Sequence, residues 1–305
     1  MKPAFLVLMI LMNLLWAVSY PAFKVLASDL TSGNIVTLRF GLAAVVMALA
    51  WPWLPGNAPR QTDLAKAAVM GLVVFCVAPR LQVAAVHRGQ AGDASVLMAL
   101  DPLITSLAAA FFLGERITRR RWCGFGMGMV GVLLLARVWK PDFKPLHGLL
   151  TNLLFISSFV GETAYSVMGK PLLLRSSPAK LLGTALLIGT LVNACLDGPA
   201  TLDAARQLSF GKWMLIVYLV VVCTIVGYAL WYVVIRETEV SLTALTVLIQ
   251  PLAGLAISVL ALRESLHWGQ LWGSLAIVCG LAVGLRPNQV RPTPPQALNS
   301  TPMDG

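Results

Sequence analysis

ASVLMALDPLITSLAAAFFLGERI, residues 94–117, is answered further along by TALTVLIQPLAGLAISVLALRESL, residues 243–266. Glycines follow each copy on the same schedule, in CGFGMGMVG at 123–131 and WGSLAIVCG at 272–280. Pro102, Leu103, Leu113, Glu115, Gly124 and Gly131 thus reappear as Pro251, Leu252, Leu262, Glu264, Gly273 and Gly280, each 149 positions on. One gapless offset across so many positions means duplication. Because both copies lie in long apolar surroundings, the repeated unit reads as a set of membrane helices, and the relative orientation of the copies becomes the central question.

Composition agrees. Apolar residues make up 58% of the 305 and charged ones 12%, about half the ~25% usual in soluble domains. The net charge of +10 does not point to nucleic acid, because Lys and Arg lie between apolar runs rather than along one stripe. Cys76, Cys123, Cys195, Cys223 and Cys279 stand singly in apolar segments. That pattern indicates neither a disulfide framework nor a metal site. His87, His147 and His267 sit near span ends without metal-ligand spacing, so no cofactor is expected and an enzyme is disfavoured.

Runs long enough for about 30 Å of hydrocarbon fall at 4–26, 34–53, 66–86, 94–113, 122–139, 147–169, 181–197, 213–235, 241–262 and 268–285. The expectation is an all-α polytopic membrane protein with ten transmembrane helices, five in a first repeat over 1–139 and five in a second over 140–286. Pro52 and Pro55 break the second span, and the seventh is expected to stop at Asp197-Gly198-Pro199. The proline-rich stretch 287–305 reads as a disordered cytoplasmic tail. With the N-terminus inside, thirteen Lys and Arg residues fall on the cytoplasmic side against seven outside, and Arg119-Arg120-Arg121 is the strongest anchor. Both termini are therefore expected in the cytoplasm. An odd number of spans per repeat then inverts the second copy, which places Glu115 and Glu264 on opposite faces.

Gly126-Met127-Gly128-Met129-Val130-Gly131 spells a dinucleotide fingerprint, but that motif needs a preceding strand and a water-facing helix start. Within a membrane span the glycines read better as small-xxx-small packing, Gly124 with Gly128, Gly269 with Gly273 and Gly280 with Gly284. Pro21, Pro79, Pro102 and Pro251 fall inside spans and each removes a backbone hydrogen bond. A freed carbonyl at membrane depth needs protein or a water-filled cavity to satisfy it, although proline is also simply commoner in membrane helices.

Charges inside spans carry more information, since each costs at least about 2.5 kcal/mol near the bilayer centre. Arg39 lies near the outer end of its span and reads as a snorkelling anchor. Arg80 and Asp101 occupy the outer halves of consecutive spans and are expected to pair, for structure or for solute alike. Glu162 lies deeper, one turn from Tyr165. Two clusters follow, Trp16, Tyr20, Arg80 and Asp101 central to outer, and Glu162, Tyr165, Tyr228, Trp231 and Gln250 central to inner. They are the candidate substrate-binding residues, with rings for the apolar part of an amphipathic solute and a cation and carboxylates for its charges.

Two five-span repeats, each with proline in its fourth span, Glu115 or Glu264 just beyond, and Gly124/Gly131 or Gly273/Gly280 in the fifth, resemble the EamA-type carriers of the drug/metabolite transporter superfamily. Leu15-Trp16 and Arg39-Phe40 are similar to the usual N-terminal pattern of that family. The resemblance implies a bacterial inner-membrane carrier, commonly an exporter of amino acids or related metabolites, working by alternating access around a central cavity. The absence of an acidic residue in the middle of the first span departs from the small multidrug antiporters. The expected partners are a small-molecule solute and the lipid bilayer, with Asp101 or Glu162 the proton acceptor if transport is proton-coupled. A facilitator or permease for sugars, nucleosides or drug-like cations is the alternative, and a non-transporting membrane scaffold is the alternative from another class.

Overall fold

The computed structural model describes residues 2–88, 100–135, 138, 149–262 and 267–286. Among them every regular element is helical, and the helices join into ten rods. These are α1 (Pro3–Leu26), α2 (Ser32–Trp53), α3 (Gln61–Arg88), α4 (Leu100–Leu113), α5 (Arg119–Leu135), α6 (Leu149–Leu172), α7 (Pro178–Arg206), α8 (Phe210–Glu237), α9 (240–262) and α10 (Trp268–Gly284). Rods α1, α2, α3, α7 and α8 are each long and apolar enough to cross a membrane, while α4, α9 and α10 contain shorter apolar helices. Outward-facing Leu49, Phe111, Leu174 and Leu191 are exposed. Such a coat suits a lipid environment and would be a liability in water.

Local chemistry sets where the rods begin. Thr31 accepts from the Asn34 amide to cap α2, and Ser177 accepts from the Lys180 amide with Pro178 at the first turn of α7. Prolines set where the rods bend. Pro21 cannot donate to the Ala17 carbonyl, and α1 breaks there into Pro3–Trp16 and Ser19–Leu26.

The seventh rod corrects the sequence expectation, because it does not stop at Asp197-Gly198-Pro199 but continues to Arg206 with Pro199 inside it. Tertiary bonds hold the extension in place: Asp197 pairs with Arg80, and Asn34 donates to the Ala200 carbonyl. The start of the fourth span, Glu264, His147 and the tail 287–305 lie outside the described residues.

Packing between rods keeps its pattern when the first five are exchanged for the last five. Rod α2 packs on α7 and α5 on α10; α3 packs on α6 as α8 does on α1, and α4 on α6 as α9 does on α1. The α5–α10 seam shows the relation at atomic detail. A Cβ on Gly131 would stand 2.6 Å from the Gly273 carbonyl oxygen, and one on Gly273 2.6 Å from that of Gly131. Gly124 and Gly280 block each other at 2.8 Å in the same way. Rising number on one rod meets falling number on the other, so the two run antiparallel. The fingerprint-like glycines thus serve helix packing: Gly124, Gly128 and Gly131 meet other rods, whereas Gly126 faces open space.

Both third rods carry a stretch of π-helix, Val73–Val77 in α3 and Leu219–Val226 in α8. In α3 the cause is Pro79, which has no N–H for the Phe75 carbonyl four residues back. Asn193 of α7 fills that vacancy, its amide donating to Phe75 O at 2.8 Å. In α8 no proline is present; the Cys223 carbonyl accepts instead from the Trp16 indole at 2.8 Å.

Candidate functional site

Between α3 and α8 and the rods α1, α2, α4, α6 and α9, the bundle leaves a partly open cavity. Eight of the residues singled out from sequence line it: Trp16, Tyr20, Asp101, Glu162, Tyr165, Tyr228, Trp231 and Gln250. Apart from Arg80, the two clusters separated by depth in the sequence line one cavity. Position along each span gave no sign of this; in α1 the helix breaks between Trp16 and Ser19, within the first cluster.

An aromatic wall comes first. Trp16 meets Tyr228 edge-on at 5.7 Å and Trp231 at 6.0 Å. Gly227 makes room for it, since a Cβ there would come within 2.5 Å of the indole nitrogen. Tyr165 stacks on Tyr232 at 3.9 Å and donates its hydroxyl to the Tyr228 carbonyl at 2.8 Å. Trp231 donates to Ser166 Oγ at 2.9 Å. With their polar atoms already bonded, Trp16, Tyr165 and Trp231 present chiefly ring surface.

The polar wall is more varied. Glu162 Oε1 accepts from Gln82 at 2.9 Å, which leaves its other oxygen for the cavity. Thr105 and Thr163 bond to each other at 2.9 Å beside Asp101. Gln250 donates to Asn13, and Asn13 donates to Thr246 and to the Met9 carbonyl. This buried chain fixes α9 against α1.

Two expectations are corrected. Arg80 does not line the cavity and does not pair with Asp101; its guanidinium pairs with Asp197 and bonds Asn193 Oδ1 at 2.9 Å and Thr37 at 3.2 Å. A nearby carboxylate on α7 outcompetes the one that is closer in sequence. Arg39 does not snorkel to an interface but lines the cavity, buried to 7% exposure. Sequence reasoning also missed Ser19, Gln82, Thr105 and Ser166. The only signal for them was polarity inside otherwise apolar runs.

A second polar cluster lies at one end of the bundle. Glu115, in the link between α4 and α5, accepts from the Val240 and Ser241 amides at the start of α9, from Ser241 Oγ, and from Lys170 at 3.0 Å. Burial pushes its carboxyl upward, but these bonds outweigh burial and hold it below its ordinary value. Beside it Arg121 pairs with Glu239, and Lys2 pairs with Glu237 at 2.6 Å. Lys212 pairs with Asp29 at the opposite end.

Apolar helices around a cavity that mixes ionisable side chains with aromatic rings define a polytopic membrane protein with a polar interior. The chain belongs to the EamA-like transporter family, whose model matches residues 4–137 and 149–285. It is a transporter rather than an enzyme. Among similar proteins, one from Escherichia coli carrying the name "Probable amino-acid metabolite efflux pump" is 24% identical over 92% of this chain and 94% of its own. Another, from Streptantibioticus cattleyicolor, named "Probable terminal-alkyne amino-acid exporter", is 29% identical over 78% and 79%. A solved crystal structure superposes with a TM-score of 0.70 over 92% of this chain and 94% of its own at 18% identity, which shows a shared fold.

Proposed function

We propose that this protein is a secondary carrier that exports amino acids or related zwitterionic metabolites across a bacterial inner membrane by alternating access. The observation that carries this reading is the cavity itself: Arg39, Asp101 and Glu162 face a wall of Trp16, Tyr228 and Trp231. A zwitterion brings one charge of each sign and a side chain. The site offers partners for all three, and buried charges inside membrane helices are expensive to keep without a use. The names of the relatives from Escherichia coli and Streptantibioticus cattleyicolor point the same way.

The ten rods cross the membrane as two five-helix repeats of inverted topology, with both termini and the Glu115 end of the bundle in the cytoplasm. The antiparallel, self-reciprocal α5–α10 seam supports the inversion, and the bias of Lys and Arg supports the orientation. Asp101 or Glu162 takes up a proton as solute leaves, since two carboxylates and one guanidinium share the space.

The test is flux in vesicles reconstituted with the purified protein, against labelled amino acids, sugars, nucleosides and organic cations, with and without a pH gradient. Movement of amino acids, accelerated by the gradient, is expected. Amino acids left static while sugars or organic cations move would replace this reading with a permease of another class. Alanine at Asp101 and Glu162 is expected to abolish flux at normal protein levels; unchanged flux would remove both residues from the pathway.

A further inference from the structure

We propose that Arg39 is the carboxylate anchor of the cavity, so that a free carboxylate is obligatory in the solute. This rests on the central cavity being the solute site. Arg80, Arg121, Arg175 and Arg206 each have a carboxylate partner. Arg39, among the most buried of the arginines at 7% exposure, forms no ion pair among the described residues. Asp101 and Glu162 share the cavity with Arg39, yet neither forms an ion pair with it. A carboxylate arriving in the cavity supplies the direct partner that the fold withholds.

The geometry holds the group ready. Thr224, in the π-helical stretch of α8, donates its hydroxyl proton to the Leu219 carbonyl at 2.8 Å and accepts from Arg39 Nε at 2.8 Å. Phe40 lies under the guanidinium at 4.8 Å and Phe23 at 5.8 Å. One edge of the planar fork is pinned and two rings pack near it, while no hydrogen bond among the described residues takes the terminal nitrogens, which suit a bidentate carboxylate. Glu162 and Asp101 lie in the same cavity for an ammonium group. An acid that loses its charge, as an amide does, leaves the guanidinium unpaired again, and such a mismatch is the kind a polar site rejects strongly.

The experiment compares vesicle flux of each L-amino acid with that of its carboxamide, which keeps ammonium and side chain and removes the carboxylate charge. Wild type is expected to favour the acid at least tenfold. Arg39→Gln is expected to bring the acid-to-amide flux ratio down close to one, and Arg39→Lys to retain part of the preference with a raised KM for acids. Thr224→Val, which keeps shape and charge but unpins the fork, is expected to raise KM for acids selectively; it serves should Arg39→Gln not fold. An Arg39→Gln protein that keeps the full preference, or loses acid and amide flux equally, overturns the anchor, as does a wild type that moves both alike. If wild type moves neither, the amino-acid reading itself fails and the anchor falls with it.

Discussion

Glu115 shows how much one side chain can organise at the end of a membrane bundle. Its carboxylate takes two backbone amides at the start of α9, a serine hydroxyl and the Lys170 ammonium, joining three separate parts of the chain. A negative charge at a helix N-terminus is favourable in its own right. Glu115→Gln removes that charge, and an unfolding free energy lower by about 2 kcal/mol is expected in detergent titration, the scale of one charge-assisted bond. The pH dependence follows in sign. Because the folded carboxyl sits below its unfolded value, its stabilisation is complete above the ordinary carboxylate range and fades as pH falls through the folded value. Wild type should lose stability faster than the Gln variant in that acid window; parallel curves would show that the carboxylate contributes no such linkage. Glu115 stood out in sequence because it recurs as Glu264. Its partners did not, since nothing in local sequence says that residues 238–241 dock beside it.

At the level of elements, the π-helical stretch in α3 and the glycine seam make opposite demands. The first needs a polar partner, the second needs nothing at all. Asn193 answers Pro79 across the bundle by bonding the Phe75 carbonyl and also holds Arg80. Asn193→Leu should cost about 2 kcal/mol, the scale of leaving buried polar groups unmet, and cost less in a Pro79→Ala background, where a restored N–H serves Phe75. Equal costs in both backgrounds would mean that the proline is not what creates the need. In the seam, Gly131→Ala and Gly273→Ala press a methyl group on a carbonyl, whereas Gly126→Ala meets nothing. Thermal stability should drop for the first two by several degrees and stay level for the third, read by aggregation onset in one detergent. The glycine spacing was legible in sequence because close packing needs small residues at fixed intervals. Which face of each rod looks inward was not. Helices apolar all round carry no stripe to orient them, so Arg39 read as an anchor although it points into the cavity.

For the whole molecule, alternating access turns on whether equivalent segments face opposite compartments. The duplication was visible in the chain, and the alternation of apolar runs gave the rods; the joining of most of two depth-separated clusters into one cavity was not visible, because it depends on which faces of seven rods meet. Inversion makes a prediction no single rod can make. Arg116 is exposed in the link that bears Glu115, and His267 is exposed just ahead of α10, near the position equivalent to that link; under the proposed inversion they face opposite compartments. In a variant lacking the five native cysteines, Arg116→Cys should react with a membrane-impermeant maleimide only in inside-out vesicles, and His267→Cys only in intact cells. Arg119, Arg120 and Arg121 remain to hold the topology after Arg116 is replaced. Labelling of both cysteines from one side would leave the rods and the cavity standing but would remove the proposed inverted symmetry, and with it alternating access as two halves exchanging shapes.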